Sequence, residues 1–224
     1  MFEAARTRSD RTSQVSIRLM ERADISFAVR LHTEVLHPGF FVRLGPRFLS
    51  AYYSTYLTSP AAIALIGEHQ GEPVGFLVGV MDRDSHYRHV IRSERVDLGI
   101  ALLTALATRP SLVSQFARTR LLRYVRGVRR HARPKSPSRP KAGYHGVLSH
   151  VAVSPALRRS GVGRALVSHF VDVAKTLGAT RLSLATLEDN LATQMFYKEQ
   201  GWQPGAVRHD ADGVSWTTFS YVLR

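Results

Sequence analysis

One stretch decides the fold of this chain: residues 151–166, which read VAVSPALRRSGVGRAL. Its first three residues end an apolar run that starts at Tyr144, and its glycine turn leads directly into an amphipathic run that stops at Gly178. The run before the turn predicts a strand, and the apolar residues at helical intervals after the turn predict a helix. The order of elements is therefore strand, glycine turn, helix.

The turn itself has the features of an anion-binding site. A helix start leaves several backbone N–H groups unpaired, and the helix dipole adds partial positive charge there. Gly161 and Gly163 carry no Cβ that would obstruct a phosphate, while Arg158, Arg159 and Arg164 add positive charge. A diphosphate suits such a turn, although an ordinary helix start can show the same pattern. The turn lacks the third glycine of a dinucleotide fingerprint and the lysine and hydroxyl pair of a nucleoside-triphosphatase loop.

Residues 151–166 closely resemble the acetyl-CoA-binding signature of the GNAT acetyltransferases. In that family the signature is Gln or Arg, two residues, Gly, one residue, then Gly or Ala, and these places are held by Arg158, Gly161 and Gly163. A second family motif is matched by Asn190, Ala192, Phe196, Tyr197 and the Gly201-Trp202 pair. The two motifs cover about residues 144–204, and the order of elements extends the resemblance to nearly everything outside one basic segment.

The resemblance implies an acetyl-CoA-dependent N-acetyltransferase with acetyl-CoA as co-substrate and no metal. The strand before the turn would offer main-chain groups to the pantetheine arm. The implied acetyl-CoA contacts are Val151, Ala152, Val153, Arg158, Arg159, Ser160, Gly161, Val162, Gly163, Arg164, Asn190 and Tyr197. Tyr197 holds the family position of the general acid that protonates the departing thiolate, with a packing role as the alternative. The Val151 amide is the implied donor to the thioester carbonyl.

The general base is less decided, because the strand from Tyr144 to Val153 contains no carboxylate. His145 and His150 are its ionisable residues, and an imidazole can take a proton near neutral pH. Strand alternation predicts that they lie on opposite faces unless a bulge intervenes, and the family register favours His145. Water, or an amine that arrives deprotonated, is the alternative to both.

The implied fold is α/β, of the α+β type: a central mixed, mostly antiparallel sheet of six or seven strands with helices on both faces. The sheet is expected to splay, with a parallel pair, where the thioester enters. Six strands are predicted from the residues, at 15–19, 61–68, 73–81, 144–153, 181–186 and 215–223. A helix over 46–57 carries Tyr52 and Tyr53, which are core residues or, alternatively, line a substrate cleft.

A basic segment interrupts this pattern between the third and fourth strands. Residues 83–141 hold fifteen Lys or Arg against three acidic residues, which accounts for +12 of the net charge of +14. Helices are predicted over 93–108 and from Pro110 to about Arg130, followed by a Pro-rich linker. We therefore predict a disordered N-terminus at 1–14 and a single domain at 15–224, interrupted by a helical basic insertion at 83–141.

The sequence leaves the role of the insertion open between four readings. It is a solvated basic face, a surface that docks on anionic lipids through 111–130, a site for an anionic substrate, or, less favoured, a nucleic-acid-binding stripe. The preferred acceptor is a small primary amine, such as an amino sugar on a nucleotide or lipid carrier. The alternatives are a protein or RNA-linked amine, or a non-catalytic module that binds CoA or nucleic acid.

Composition bounds where the protein acts. The chain has no cysteine, and its longest uncharged, mostly apolar run, 98–108, is about half the length of a spanning helix. Residues 1–11 offer no apolar signal-peptide core. These features predict a cytoplasmic protein, with peripheral contact at the inner membrane surface as an extension; a homodimer is compatible with them.

Overall fold

The computed structural model of the protein describes residues 15–36, 39–118 and 143–223. Its centre is a seven-stranded sheet in the order β1-β2-β3-β4-β5-β7-β6. The strands are β1 (Val15–Leu19), β2 (Ala62–His69), β3 (Glu72–Val80), β4 (Tyr144–Val153), β5 (Ala179–Leu187), β6 (Gln203–His209) and β7 (Ser215–Val222). All neighbours pair antiparallel except β4 and β5, which are parallel. The predicted mixed, mostly antiparallel sheet is confirmed.

Helices cover both faces of the sheet. They are α1 (Ile25–Val35), α2 (Phe40–Arg43), α3 (Pro46–Thr58), α4 (Arg83–His89), α5 (Arg95–Thr108), α6 (Pro110–Phe116), α7 (Val162–Thr176) and α8 (Leu191–Glu199). Helix α7 and residues of α8 share one core cluster with the sheet. Helices α1 and α3 form a second cluster on the opposite face. The sheet thus separates two cores.

Helix α7 forms where the apolar periodicity predicts it and packs tightly on the sheet. Its inward side chains, which include Leu166 and Phe170, are fully buried. Strand β3 admits this packing through Gly79, because a Cβ there would lie 2.5 Å from the Phe170 ring. The close approach fixes the helix, and with it the glycine turn at its start, against the centre of the sheet.

The hairpin of β2 and β3 turns as the sequence predicts. Gln70 and Gly71 both have positive φ, at 56° and 83°. Short hairpin turns need that geometry because it matches the twist of the two strands. The two strands then pair along their length, from Ala62 opposite Val80 to His69 opposite Glu72.

Strand β6 and helix α4 are absent from the predicted elements. All seven residues of β6 are exposed, and the strand includes Pro204 and Gly205. It pairs with β7 at the end of the sheet and buries neither face. Its sequence therefore lacks the alternation of apolar and polar residues by which a half-buried strand is predicted. Helix α4 begins at the N-cap Asp82, whose carboxylate accepts from the Ser85 N–H at 3.1 Å.

The described part of the basic segment packs on the domain between β3 and β4. Helix α4 continues through a π-helical turn, Val90–Glu94, into α5. A third apolar cluster joins α5 and α6 to α2 and α3, and its buried members are Phe40, Leu44, Phe48, Ala101, Ala105 and Leu112. The predicted helix over 93–108 is confirmed in its main part. The Pro-rich linker and the predicted helix beyond residue 118 lie outside the described residues, as does the N-terminus at 1–14.

Candidate functional site

Strands β4 and β5 separate at the middle of the sheet. They pair from Tyr144 opposite Ala179 to Val147 opposite Ser183, and the pairing between them stops there. Beyond that point β4 continues alongside β3, and β5 alongside β7. Each strand therefore presents an open edge, and the predicted splay is confirmed. A cavity of about 1940 Å³ opens at this point, lined by 148–153 of β4 and 185–187 of β5.

The glycine turn lies beside the splay and presents a group of unpaired N–H donors. Among the described residues, no acceptor is bonded to the backbone N–H of Arg159, Gly161, Val162, Gly163 or Arg164. Arg159 and Gly161 have positive φ, 64° and 92°, which turns the chain sharply into α7. A Cβ at Gly161 would meet no atom of the described residues within 4 Å, so this position of the turn is open.

The turn side chains divide between the cavity and the core. Arg158, Arg159 and Arg164 are exposed and line the cavity, and the side chain of Arg164 is 67% exposed. Its 3.9 Å ion pair with Glu199 is also largely exposed, which leaves the guanidinium available to a ligand. The Ser160 hydroxyl donates to the Leu157 carbonyl at 2.6 Å. Val162 is buried under α7 and contributes packing.

Val151, Ala152 and Val153 all line the cavity on the open stretch of β4. The side chains of Val151 and Val153 pack with the α7 core, and that of Ala152 packs with the α1 and α3 core. With the side chains fixed in these two cores, the strand offers its main chain to the cavity.

Tyr197 lies in α8 beneath the splay. The residue is 3% exposed and packs among Phe196, Trp202 and Phe219. It also lines the cavity, and its hydroxyl bonds to no group in the described part of the chain. Burial raises the pKa of Tyr197 well above its usual value, so the phenol stays protonated.

Asn190 is the N-cap residue of the same helix. Its side-chain oxygen accepts from the Thr193 N–H at 3.1 Å and caps α8. The residue also lines the cavity. Among the described residues, no acceptor is bonded to its amide NH₂ group.

The two histidines of β4 lie on one face of the sheet, because the bulge that was the exception to the predicted opposite faces is present. The pairing with β3 skips Ser149, since Val78 lies opposite His150 and Gly79 opposite Leu148. This bulge reverses the alternation between residues 145 and 150. His150 packs with Tyr52 and Tyr53 of α3. His145 bonds to Ser183, which points away from the α7 core.

Only one of these two histidines lines the cavity. His145 is exposed, its Nε2 lies 3.0 Å from the Ser183 hydroxyl, and it is not among the residues around the cavity. Partial burial, with Arg181 and Arg83 nearby, lowers the pKa of His145. His150 lines the cavity. The family register favoured His145, but His145 is the histidine that lies farther from the splay.

His150 belongs to a polar cluster between β4 and the helices α1 and α3. Its Nε2 lies 3.1 Å from the Tyr52 hydroxyl, which bonds in turn to the Tyr56 hydroxyl at 2.7 Å. The ring of His32 in α1 lies 5.0 Å from that of His150 at a tilt of 58°, and the His32 Nδ1 lies 2.5 Å from the Tyr53 hydroxyl. Burial lowers the pKa of His32 to about 4 and that of His150 to about 3, so both imidazoles are neutral.

Sequence reasoning missed His32 as a site residue. It lies on the buried stripe of α1, where a histidine is hard to distinguish from an ordinary core residue. Tyr53 is fully buried, in agreement with the core reading. Tyr52 is only partly buried and bonds to the cavity-lining His150, which fits the cleft reading better.

The comparison with protein families decides what this site belongs to. Residues 115–202 match the model described as the Acetyltransferase (GNAT) family. These residues are thus similar to the GNAT acetyltransferase domain, and members of that family are acetyl-CoA-dependent N-acetyltransferases. No curated protein sequence matches the chain significantly.

Solved GNAT structures share the fold at low sequence identity. NAA60 of Arabidopsis thaliana, solved with acetyl-CoA, has a TM-score of 0.59 and 12% identity, and the match covers 94% of this chain and 99% of that one. The ribosomal-protein-S18-alanine N-acetyltransferase of Escherichia coli has a TM-score of 0.55 and 14% identity, with 93% and 94% covered. The protein yncA of Salmonella typhimurium, with its cofactor acetyl-CoA, has a TM-score of 0.55 and 14% identity, with 94% of each chain covered. These likenesses bear on the fold alone.

Two further features of the described residues concern the membrane and metal predictions. No helix there is both long and apolar enough to cross a membrane. Within the same residues, His, Asp and Glu side chains form no group of three or more that could hold a metal ion.

Proposed function

We propose that the protein transfers an acetyl group from acetyl-CoA to a primary amine by direct attack in a ternary complex. The observation that carries the proposal is the splay of β4 and β5. One cavity there is lined by the donor-rich turn, the open edge of β4 and Tyr197. Its volume of about 1940 Å³ exceeds the ~300–1,000 Å³ of a usual ligand site, so it has room for both substrates.

The turn and the open strand edge fit acetyl-CoA. The unpaired N–H groups at Arg159, Gly161 and 162–164 would bind the pyrophosphate, and the helix dipole adds favourable charge. Arg158, Arg159 and Arg164 would pair with the phosphates, and the main chain of 151–153 would bind the pantetheine arm. The Val151 amide would polarise the thioester carbonyl.

In the reaction, the amine nitrogen bonds to the thioester carbonyl carbon and the carbon–sulfur bond breaks. The amine loses one proton, and the departing sulfur gains one. The phenol of Tyr197 would donate a hydrogen bond to that sulfur as its negative charge develops. Complete proton transfer from this phenol is uphill, because thiols have a pKa near ~8.5 and burial raises the pKa of Tyr197 far above that value. The proton that ends on sulfur is then supplied by the amine, through water.

His150 lines the cavity from β4 and would contact the attacking amine. With a pKa of about 3 it is a weak base, although it is a neutral hydrogen-bond acceptor at every pH at which the enzyme would work. We propose that His150 and Tyr52 orient the amine, and that the amine enters deprotonated or releases its proton to water. His145 has no such role in this proposal.

Two measurements test the proposal together. Calorimetry should show acetyl-CoA binding to the purified protein, and thiol release should depend on an added amine. Tyr197→Phe should lower kcat about 100-fold, within the range for loss of one hydrogen-bond donor to developing negative charge, and leave acetyl-CoA affinity within about twofold. Tyr221→Phe is the matched control, because Tyr221 packs on Trp202 in the same core.

The outcomes separate catalysis from the non-catalytic alternative. Acetyl-CoA binding without thiol release for sugar, alkyl, peptide or RNA-linked amines would establish a CoA-binding module. Absence of acetyl-CoA binding would contradict the donor site itself. The amino sugar on a nucleotide or lipid carrier remains one predicted acceptor among these.

Peripheral contact with an anionic membrane remains a prediction for the insertion. Residues 119–130 of the predicted lipid-facing helix lie outside the described part of the chain. In support, α5 exposes an aliphatic stripe at helical spacing, in which Val96 is 61%, Ile100 49% and Leu103 68% exposed. Flotation with anionic liposomes, compared with a chain lacking 84–141, tests the prediction. Equal flotation of the two proteins would overturn it.

A further inference from the structure

The cavity extends from the splay to the described helices of the insertion, and its wall changes character there. Beyond the turn and β4, its lining is aliphatic and aromatic. This apolar wall consists of Val35, Leu36, Phe40, Phe41, Val42, Leu44, Phe48, Val90, Ile91, Leu98, Leu102 and Phe116. Phe40 and Phe116 stack with ring centres 6.0 Å apart and connect α2 to α6. No other part of the cavity lining among the described residues is so continuous in apolar side chains.

Charge is scarce along this wall. On the described residues of α1, α2 and the insertion, the charged side chains that line the cavity are Glu34 and Arg95. The β6–β7 loop adds Asp210, which is itself held by the Trp216 indole at 3.1 Å and the Val214 N–H at 3.0 Å. The remaining arginines of the lining belong to the donor turn. Of the described residues along this wall, a diphosphate on the acceptor would thus face one arginine and two carboxylates, and this set of charges does not favour an anion.

The same wall suits an amine with an apolar body. Each methylene buried against such a surface contributes about 0.8 kcal/mol. The amine end would face the neutral imidazole of His150. One end of the cavity is therefore polar at the splay, and the other is lined mainly by apolar side chains.

The described part of the insertion supplies much of this wall. Val90, Ile91, Leu98, Leu102 and Phe116 all lie between β3 and β4 in the chain. Gln115 of α6 also links the two sides of the domain, since it accepts from Arg43 of α2 at 2.5 Å and donates to Asp212 of the β6–β7 loop at 2.6 Å. The described part of the insertion thus lines the acceptor side of the cavity, in addition to exposing a charged surface.

We propose that the acceptor is a primary amine on a hydrophobic body, aliphatic or aromatic, and that α5 and α6 of the insertion select it. This inference rests on the proposed acetyl transfer and specifies its substrate class. The body packs on the apolar wall while the nitrogen lies at the splay beside His150. The shared chemistry, an amine joined to an apolar group, is found both in small arylalkyl or alkyl amines and in lipid-linked amines.

A homologous series of amines on the full chain tests the substrate class. Linear primary alkylamines from butylamine to decylamine have nearly the same basicity, so chain length alone varies among them. The kcat/KM for thiol release should rise about fourfold per added methylene until the wall is filled. Phenethylamine should follow the long alkylamines, while glucosamine and a nucleotide-linked amino sugar should be poor acceptors. A lipid-linked amino sugar in detergent micelles distinguishes the two sources of the apolar body.

A pair of variants on one helix provides the matched control. Leu102 lines the cavity, whereas Leu103 is its exposed neighbour on α5. Leu102→Gln should lower kcat/KM for octylamine at least tenfold and for butylamine much less, with acetyl-CoA affinity unchanged. Leu103→Gln should stay within about twofold for both amines. If Leu102→Gln fails to fold, the amine series on the unaltered chain still decides the question.

The failure of this inference differs from the failure of the proposed function. A flat response to chain length, with efficient turnover of the nucleotide-linked amino sugar or of glucosamine, would overturn the hydrophobic acceptor and leave acetyl transfer standing. Absence of turnover with every amine, despite acetyl-CoA binding, would overturn the proposed function and this inference together.

Discussion

The two halves of the cavity are built in opposite ways. The donor half presents main-chain N–H groups and arginines from a single local turn, at 158–164. The acceptor half joins side chains from α1, α2, β4 and the insertion, and its described residues are mostly apolar apart from the histidine and tyrosine cluster, Glu34 and Arg95. Under the proposed function, the donor half would bind phosphates through its N–H groups and arginines, and the acceptor half would bind an apolar body through its side chains. The donor half should therefore respond to changes in backbone and charge, and the acceptor half to changes in side-chain character.

The largest expected effect tests the donor half. Gly161→Glu should weaken acetyl-CoA binding at least 100-fold in calorimetry, because it places a side chain and a negative charge where the N–H groups would bind a pyrophosphate. Gly178→Glu is the matched control at the other end of α7, since it also has positive φ and open space around its Cα. Both variants should lose ~1–2 kcal/mol of stability from the left-handed backbone. Equal affinity losses in the two variants would show that the turn is not the donor site.

A smaller effect distinguishes the two histidines of β4. His150→Ala should lower kcat/KM for the amine about tenfold and leave acetyl-CoA affinity unchanged, because it removes the neutral acceptor beside the splay. His145→Ala should change kcat/KM by less than about twofold, since His145 faces Ser183 outside the cavity. Steady-state kinetics of the two variants would sharpen the boundary of the acceptor half. A larger loss of kcat/KM in His145→Ala than in His150→Ala would show that His145 is the histidine that acts on the amine.

The smallest expected effect is on the pH profile. An imidazole with a pKa of about 3 is uncharged above pH ~4, so His150 should add no acid limb to kcat/KM between pH ~5 and ~8. Any acid limb in that range should belong to the amine and should move when an acceptor of lower basicity replaces it. Profiles of the unaltered enzyme with two such acceptors provide the measurement. A limb near pH ~6.5 that stays fixed for both acceptors and vanishes in His150→Gln would show that His150 is the general base.

The sequence predicted the donor half well because its signals are local. The helical spacing after Gly163 predicted α7, and the positive φ at Gly161 is one that glycine adopts at little cost. The hairpin turn at Gln70 and Gly71 was equally local. In each case, residues adjacent in the chain carry the whole signal. The contact of acetyl-CoA with these residues stays a prediction.

The acceptor half could not be predicted in the same way. The single unpaired residue, Ser149, reversed the face assignment of the β4 histidines, and sequence alternation gives no sign of such a bulge. His32 looked like one more buried residue of α1 until the fold placed it 5.0 Å from His150. Leu102 and Phe116 looked like parts of a basic, amphipathic segment until they were found to line a cavity shared with α2.

The sequence by itself therefore determined the position of the glycine turn, the main strands and the helix that follows the turn. These features depend on hydrophobic periodicity and on the backbone freedom of glycine, which involve only a few neighbouring residues. The tertiary structure alone decided which histidine faces the splay and which surface the insertion covers. Those outcomes depend on contacts between segments far apart in the chain, such as Tyr52 with His150 and Phe40 with Phe116. Such contacts follow from the register of the sheet and the packing of whole helices, which no local pattern specifies.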